Sequence, residues 1–164
     1  MGSYRRGATD CGDIDVLITK PSASIPHLHS IVFGTLIPSL TKSGFLKCKL
    51  ATSSKTDDNG TKWHGVSCLP DSKIWRRLDI LLVPSDQMGA ALLYFTGNDI
   101  FNRSIRLLAS KKGMQLNQRG LYKDVFRGRN REKLNEGTLV EGRSEKRIFE
   151  ILGVPWREPT ERIC

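Results

Sequence analysis

Two stretches of the chain are apolar almost without interruption, and both carry acids at their polar end. Asp13 to Thr19 reads Asp-Ile-Asp-Val-Leu-Ile-Thr, with polar residues confined to one parity at its start. That alternation and the β-branched side chains predict a strand, broken by Pro21 and Ser22-Ala23-Ser24. Trp75 to Val83 predicts a second strand, stopped by Pro84, whose only acid is Asp79. Between the two, Leu28, Ile31, Val32, Leu36 and Leu40 recur at helical spacing from about Pro26, although Gly34 and Pro38 interrupt the segment. A strand is predicted near Phe45 to Ala51. The polar run from Thr52 ends in Asn59-Gly60, which predicts a hairpin into Thr61 to Cys68.

The second half of the chain is punctuated differently. Ser85 or Asp86 is expected to cap a helix running to Tyr94 and ended by Thr96-Gly97. Asn98 or Asp99 caps the next, Ile100 to about Lys112, with Gly113 closing it and Lys111 and Lys112 suited to its negative C-terminal end. Short strands are predicted at Met114 to Leu116 and Gly120 to Tyr122. A basic loop runs from Arg127 to Lys133, and Ser144 opens a last helix ending near Leu152-Gly153. Strands towards the front and helices further on predict an α+β fold with a mixed sheet.

With 164 residues the chain supports one compact domain, or one with a small appendage. Its 26 basic against 17 acidic residues leave a net charge of +9. Such a balance favours a polyanionic partner, through counterion release. Cys11, Cys48, Cys68 and Cys164 are scattered with no Cys-x-x-Cys pair, which argues against zinc and against a disulfide framework. There is no apolar run of about 18 residues, so no spanning helix and no membrane partner is expected. Arg6 stands where an N-terminal myristoylation signal needs Ser or Thr, and no apolar segment of a signal peptide follows.

On a strand, Asp13 and Asp15 point to one face, two rises of roughly 3.3 Å apart. If the Asp79 strand is their sheet neighbour, three carboxylates converge, and they cannot all stay ionised without a counter-cation. Oxygen-only ligation suits Mg²⁺, and two such ions would serve an in-line displacement at phosphorus. An Asp-x-Asp pair is also a common solvated face. The strand is too apolar after Asp15 to be an exposed edge, which favours a site. Gly2-Ser3-Tyr4-Arg5-Arg6-Gly7, upstream, offers a hydroxyl, a guanidinium fork and permissive backbone for phosphate oxygens. Taken alone, Tyr94 and Phe95 read as core aromatics before they read as a site, and Arg103 and Arg106 as the wet face of an amphipathic helix; the order of the motifs reverses that preference. His27, His29 and His64 read as surface residues, and Trp63, Trp75 and Trp156 as packing anchors.

Together these blocks resemble the family X DNA polymerases, and within that family its beta-like and lambda-like members. The matching stretches are Gly2 to Gly7, Gly12 to Ile18, Arg76-Arg77-Leu78-Asp79, Tyr94-Phe95-Thr96-Gly97, Phe101-Asn102-Arg103 and Trp156-Arg157-Glu158-Pro159, in family order across nearly the whole chain. The resemblance implies a nucleotidyltransferase palm over residues 1–95 and a small α/β thumb over 96–164 that binds the nascent base pair. It implies that Asp13, Asp15 and Asp79 are the catalytic metal ligands for two Mg²⁺ ions, with Mn²⁺ able to substitute. Ser3, Arg6 and Gly12 match triphosphate contacts, Tyr94, Phe95 and Gly97 the sugar platform, and Asn102 and Arg106 the minor-groove edge of the new pair. Arg77 and Arg103 match DNA contacts.

The implied partners are a dNTP and gapped or primer-template DNA, in the nucleus, with no repair protein assignable. In the family the Gly-Ser turn follows DNA-binding helices and a lyase domain, so a fragment or shortened product lacking them is expected, without lyase activity. Leu81 stands where beta-like members carry a switching arginine, which leans towards lambda, and Gln118 replaces its glutamate counterpart. Template-independent terminal transfer is the enzymatic alternative; a DNA-binding fragment without turnover is the other.

Overall fold

The computed structural model describes residues 1–52, 61–126, 128–129 and 134–163. In chain order the elements are helix α1 (Gly2–Arg5), strand β1 (Asp13–Ile18), α2 (Ile25–Ile31), a π-helical turn (Val32–Leu36) and α3 (Ile37–Lys42). Then come β2 (Leu46–Thr52), β3 (Lys62–Ser67), β4 (Arg76–Leu82), α4 (Met88–Thr96) and α5 (Asp99–Lys111). The chain finishes with β5 (Gln115–Asn117), β6 (Gly120–Lys123), β7 (Thr138–Glu141), α6 (Glu145–Ile151) and a 3₁₀ turn (Pro159–Glu161). The fold is α+β. It divides into two compact units, one of Asp10–Ser85 with Met1 and one of Gly2–Thr9 with Asp86–Cys164. No helix among the described residues is long and apolar enough to cross a membrane.

The first unit is a four-stranded mixed sheet in the order β1-β4-β3-β2, with β1 parallel to β4 and the other pairs antiparallel. Alternation decides the two faces. Leu78, Ile80 and Leu82 of β4 and Trp63 of β3 are buried together with Leu28 and Val32 from the helical segment, and Ile14 and Ile18 of β1 pack against them. The opposite parity carries Asp13, Asp15, Arg77 and Asp79. β1 lies at the sheet's edge, contrary to the expectation from its apolar run. Its hydrophobic residues are not all shielded by strands: Ile14 and Ile18 reach the helical layer, while Val16 remains 36 % exposed.

The single helix expected from Pro26 to Leu40 is a helix, a π turn and a second helix. Pro38 has no N–H to donate to Gly34, and the ladder shifts by one residue so that the Ile37 N–H donates to the Val32 carbonyl. Ser24 caps α2, accepting from the His27 N–H. The hairpin of β2 and β3 is present with two register irregularities, while its Asn59-Gly60 turn lies outside the described residues. So does most of the basic loop at 127–133.

The second unit packs α4, α5 and α6 around Leu93, Phe101, Ile105, Leu121, Ile148 and Phe149, with a three-stranded antiparallel sheet in the order β5-β6-β7. α4 begins later than expected: Gln87 takes the N-cap position without a side-chain cap, and Ser85 and Asp86 lie in the preceding turn. Asn98 does cap α5, accepting from the Phe101 N–H at 2.9 Å, and Ser144 caps α6. β7 escaped the sequence because Thr138–Glu141 shows no alternation; three of its four residues are exposed.

Candidate functional site

The acids of the first unit are arranged by strand register. Along the parallel β1–β4 pair Asp13 stands opposite Arg77 and Asp15 opposite Asp79, and along β3–β4 His64 stands opposite Asp79. Residues paired in register project from the same face. Asp15, Asp79 and His64 therefore form one row across three strands, with Asp13 and Arg77 one step of the pleat away.

Arg77 neutralises much of this charge. Its guanidinium ion-pairs with Asp13, and its Nε lies 3.3 Å from an Asp79 carboxylate oxygen. His64 Nδ1 lies 3.0 Å from Asp79 Oδ1, yet the alignment makes no hydrogen bond, and this buried oxygen has no donor. His64 is thus no mere surface residue; in sequence it lacked any signal beyond its parity on a strand next to the acids. Burial pushes the Asp15 carboxyl above its ordinary range, and the Asp13 and Asp79 carboxylates push it further, while the Met1 ammonium and then Arg77 offset part of the effect.

The donor chemistry fits a hard cation. Three carboxylates share one face, one buried oxygen lacks a partner, and one acid is held against its own ionisation; an oxygen-seeking divalent ion relieves all three conditions. Among the described residues no three His, Cys, Asp or Glu side chains stand close enough together to hold an ion as they are. Arg77 supplies positive charge to Asp13 and Asp79 instead.

In the second unit a cleft of about 710 Å³ is lined by Arg6, Tyr94, Phe95, Gly97, Asn102, Arg103 and Arg106, among others. These are seven of the residues that the sequence marked for nucleotide or DNA contact. Gly97 shapes the floor: its φ of +68° is a conformation that side chains resist, and a Cβ there would stand 3.3 Å from Arg6 Nη1. Arg6 donates to the Thr96 carbonyl. Tyr94 and Phe95 pack edge to face with centroids 4.9 Å apart, and the Arg106 guanidinium lies 5.1 Å from the Tyr94 ring centre. Asn102 is buried, and its amide donates to the Tyr94 carbonyl at 2.8 Å. Ser3 belongs to α1 and does not line this cleft; Gly12 and Arg77 belong to the first unit.

An ion network beneath the cleft had no sequence signal. Glu145, in the first turn of α6, accepts from Arg5 at 2.6 and 3.1 Å and from Arg162 at 2.7 Å. Arg162 is fully buried, its guanidinium 4.9 Å from the Trp156 ring centre and 5.5 Å from that of Phe149. Arg5 also donates to the Thr96 hydroxyl. α1 is thereby tied to both α4 and α6. Trp156 packs as expected and Trp63 is buried at 3 % exposure, but Trp75 is 61 % exposed and anchors nothing.

Comparison with known proteins also parts the chain after residue 85, with residues 2–9, which fall in the second unit, inside the first match. Residues 1–85 match the family model "DNA polymerase beta palm", and residues 91–163 match "DNA polymerase beta thumb". DNA polymerase lambda of Rattus norvegicus is 43 % identical over 164 residues, covering 98 % of this chain and 28 % of that protein. DNA polymerase lambda of Arabidopsis thaliana is 33 % identical, covering 98 % of this chain and 31 % of that protein. DNA polymerase IV of Saccharomyces cerevisiae is 25 % identical, with 99 % and 38 % covered. The chain thus spans roughly a third of the length of these curated relatives.

Proposed function

The chain belongs to the family X DNA polymerases, and on that premise we propose that it adds deoxynucleotides to a primer 3′-hydroxyl in short-gap DNA repair. Asp13, Asp15 and Asp79 carry the chemistry, and two Mg²⁺ ions bound there would lower the hydroxyl's pKa and neutralise charge on the reacting phosphates. The 3′-hydroxyl gives its proton to solvent as its oxygen bonds to the α-phosphorus of the dNTP, the bond from that phosphorus to the bridging oxygen breaks, and pyrophosphate leaves. Asp79, nearest the primer terminus in this reading, orients the hydroxyl. Arg6, with Ser3 and Gly12, holds triphosphate oxygens; Tyr94, Phe95 and Gly97 receive the sugar. Asn102 and Arg106 meet the minor-groove edge of the new pair, where acceptors are similar whatever the sequence, so they test pair shape rather than identity. Arg77 and Arg103 contact DNA. Action on nuclear DNA follows from the same reading.

The observation that carries the proposal is the parallel register that sets Asp15 beside Asp79 with Asp13 on the same face. Three acids on one face of a hydrophobic sheet repel one another, which supports a reading in which a cation binds among them. Extension of a labelled primer across a one-nucleotide gap, with wild type and Asp79→Ala, is the test. Template-dependent addition that Asp79→Ala abolishes is expected. Addition indifferent to template would make the chain a terminal transferase, and equal results for the two proteins would leave a DNA-binding fragment without turnover.

A further inference from the structure

The turn between β3 and β4 is built outward. Leu69, Ile74 and Trp75 are 60 %, 59 % and 61 % exposed, and Lys73, Arg76 and Arg77 around them are exposed as well. Exposed apolar residues scattered singly need no explanation, but an aromatic flanked within two residues by Lys73 and Arg76, with Arg77 beyond it shared with Asp13 and Asp79, does. The stretch is also held in place. Cys68 Sγ lies 2.9 Å from the Ser72 carbonyl, the Ser72 N–H donates to Leu69, and the Ile74 N–H donates to the Ser72 hydroxyl at 3.0 Å. The buried Ser67 hydroxyl donates to the Arg76 carbonyl at the last rung of the β3–β4 ladder, one residue from Trp75. If the alternation of β4 continues outward, Trp75 shares the parity of Arg77 and Asp79, the acid-bearing parity of the sheet.

We propose that Trp75 is a stacking platform for a base of single-stranded DNA, with Lys73 and Arg76 gripping the flanking phosphates. Two requirements of strand binding meet here. Cations alone attract any polyanion and read no base. An indole with a free face adds base stacking, which is indifferent to sequence because every base has a π-face, and which duplex DNA cannot offer without unstacking. Lys73 and Arg76 beside the indole disfavour a basic occupant and favour an anionic one. Choosing DNA as that strand rests on the polymerase reading; the stacking itself does not.

Both parts are tested on the full 164-residue chain in EDTA, without nucleotide, so that no turnover enters the measurement. Trp75 is far more exposed than Trp63, so oligo(dT) should quench tryptophan emission, and Trp75→Leu should remove most of that quenching. Trp75→Leu should also weaken oligo(dT) binding about tenfold, while binding of heparin, a polyanion without bases, stays unchanged. The slope of log K against log salt should persist in Trp75→Leu and fall by about 0.7 in Arg76→Ala. Trp75→Tyr should restore most of the affinity, which separates stacking from a folding defect. Unchanged oligo(dT) affinity in Trp75→Leu, or an equal loss on heparin, overturns the proposal. So does a self-association that depends on Trp75 and resists oligo(dT). If Asp79→Ala leaves primer extension untouched while quenching persists, the polymerase reading fails and the platform stands.

Discussion

Asp15 and Asp79 stand directly opposite each other on neighbouring parallel strands, β1 and β4. Like charges in register on one sheet face repel. The strain concentrates on Asp15, whose carboxyl is pushed upward by burial and then by its two acidic neighbours. Arg77 answers part of that charge and leaves Asp79 Oδ1 buried without a donor.

The raised Asp15 value fixes the sign of a pH dependence. The folded chain holds this proton more tightly than the unfolded chain, whose ordinary value is 3.8. The group's contribution to stability is therefore fully present below that value and lost as pH rises through the raised folded value. Without divalent ions, Asp15→Asn is expected to unfold at higher temperature than wild type at pH 7, and the difference should vanish at low pH. Thermal melts across pH in EDTA measure it.

Divalent ions should reverse the penalty. At a hundred times its dissociation constant, a ligand that binds only the folded state adds about 2.7 kcal/mol. Mg²⁺ or Mn²⁺ is expected to raise the melting temperature of wild type, EDTA to lower it again, and Asp13→Asn or Asp79→Asn to blunt the response. In the same variants nucleotide addition should fall by a factor on the order of 10³. Calorimetry with and without Mg²⁺, beside a gap-filling assay, checks both.

Removing Glu145 strands a cation. Arg162 is fully buried and pairs with Glu145 at 2.7 Å, so Glu145→Ala is expected to cost about 3–5 kcal/mol. It also cuts the Arg5 tie, and the amides of residues 2–6 should exchange faster with solvent than they do in wild type. Urea unfolding and hydrogen exchange read the two effects separately.

Gly65 leaves no room for a side chain. A Cβ there would overlap the Trp63 ring and stand 2.6 Å from the Cys48 carbonyl oxygen. β3 lies between β2 and β4, so neither neighbour can move freely, and Gly65→Ala should destabilise by about 1–3 kcal/mol. Urea denaturation checks the loss.

Much of the fold was readable because local signals agreed. The strands at Asp13 and Trp75, the Asn98 and Ser144 caps and the close at Gly113 came from alternation and from residues with one conformational use. The misses have physical causes. Pro38 forced a π turn where a single helix was expected, β7 is too exposed to alternate, and Trp75 looked like core because large aromatics usually are.

By itself the sequence determined which acids share a parity: Asp13 with Asp15 on one strand, and Asp79 alone on another. It also set the order of the blocks that resemble the family. The tertiary structure alone decided that these strands are parallel neighbours, that Asp15 meets Asp79 rather than Ile80, and that Arg77 and His64 flank the acids. Register between segments some sixty residues apart is chosen by the packing of Ile14, Leu78 and Ile80 against the helical layer, and no local spacing encodes it. A slip of one residue would have turned Asp79 into the core.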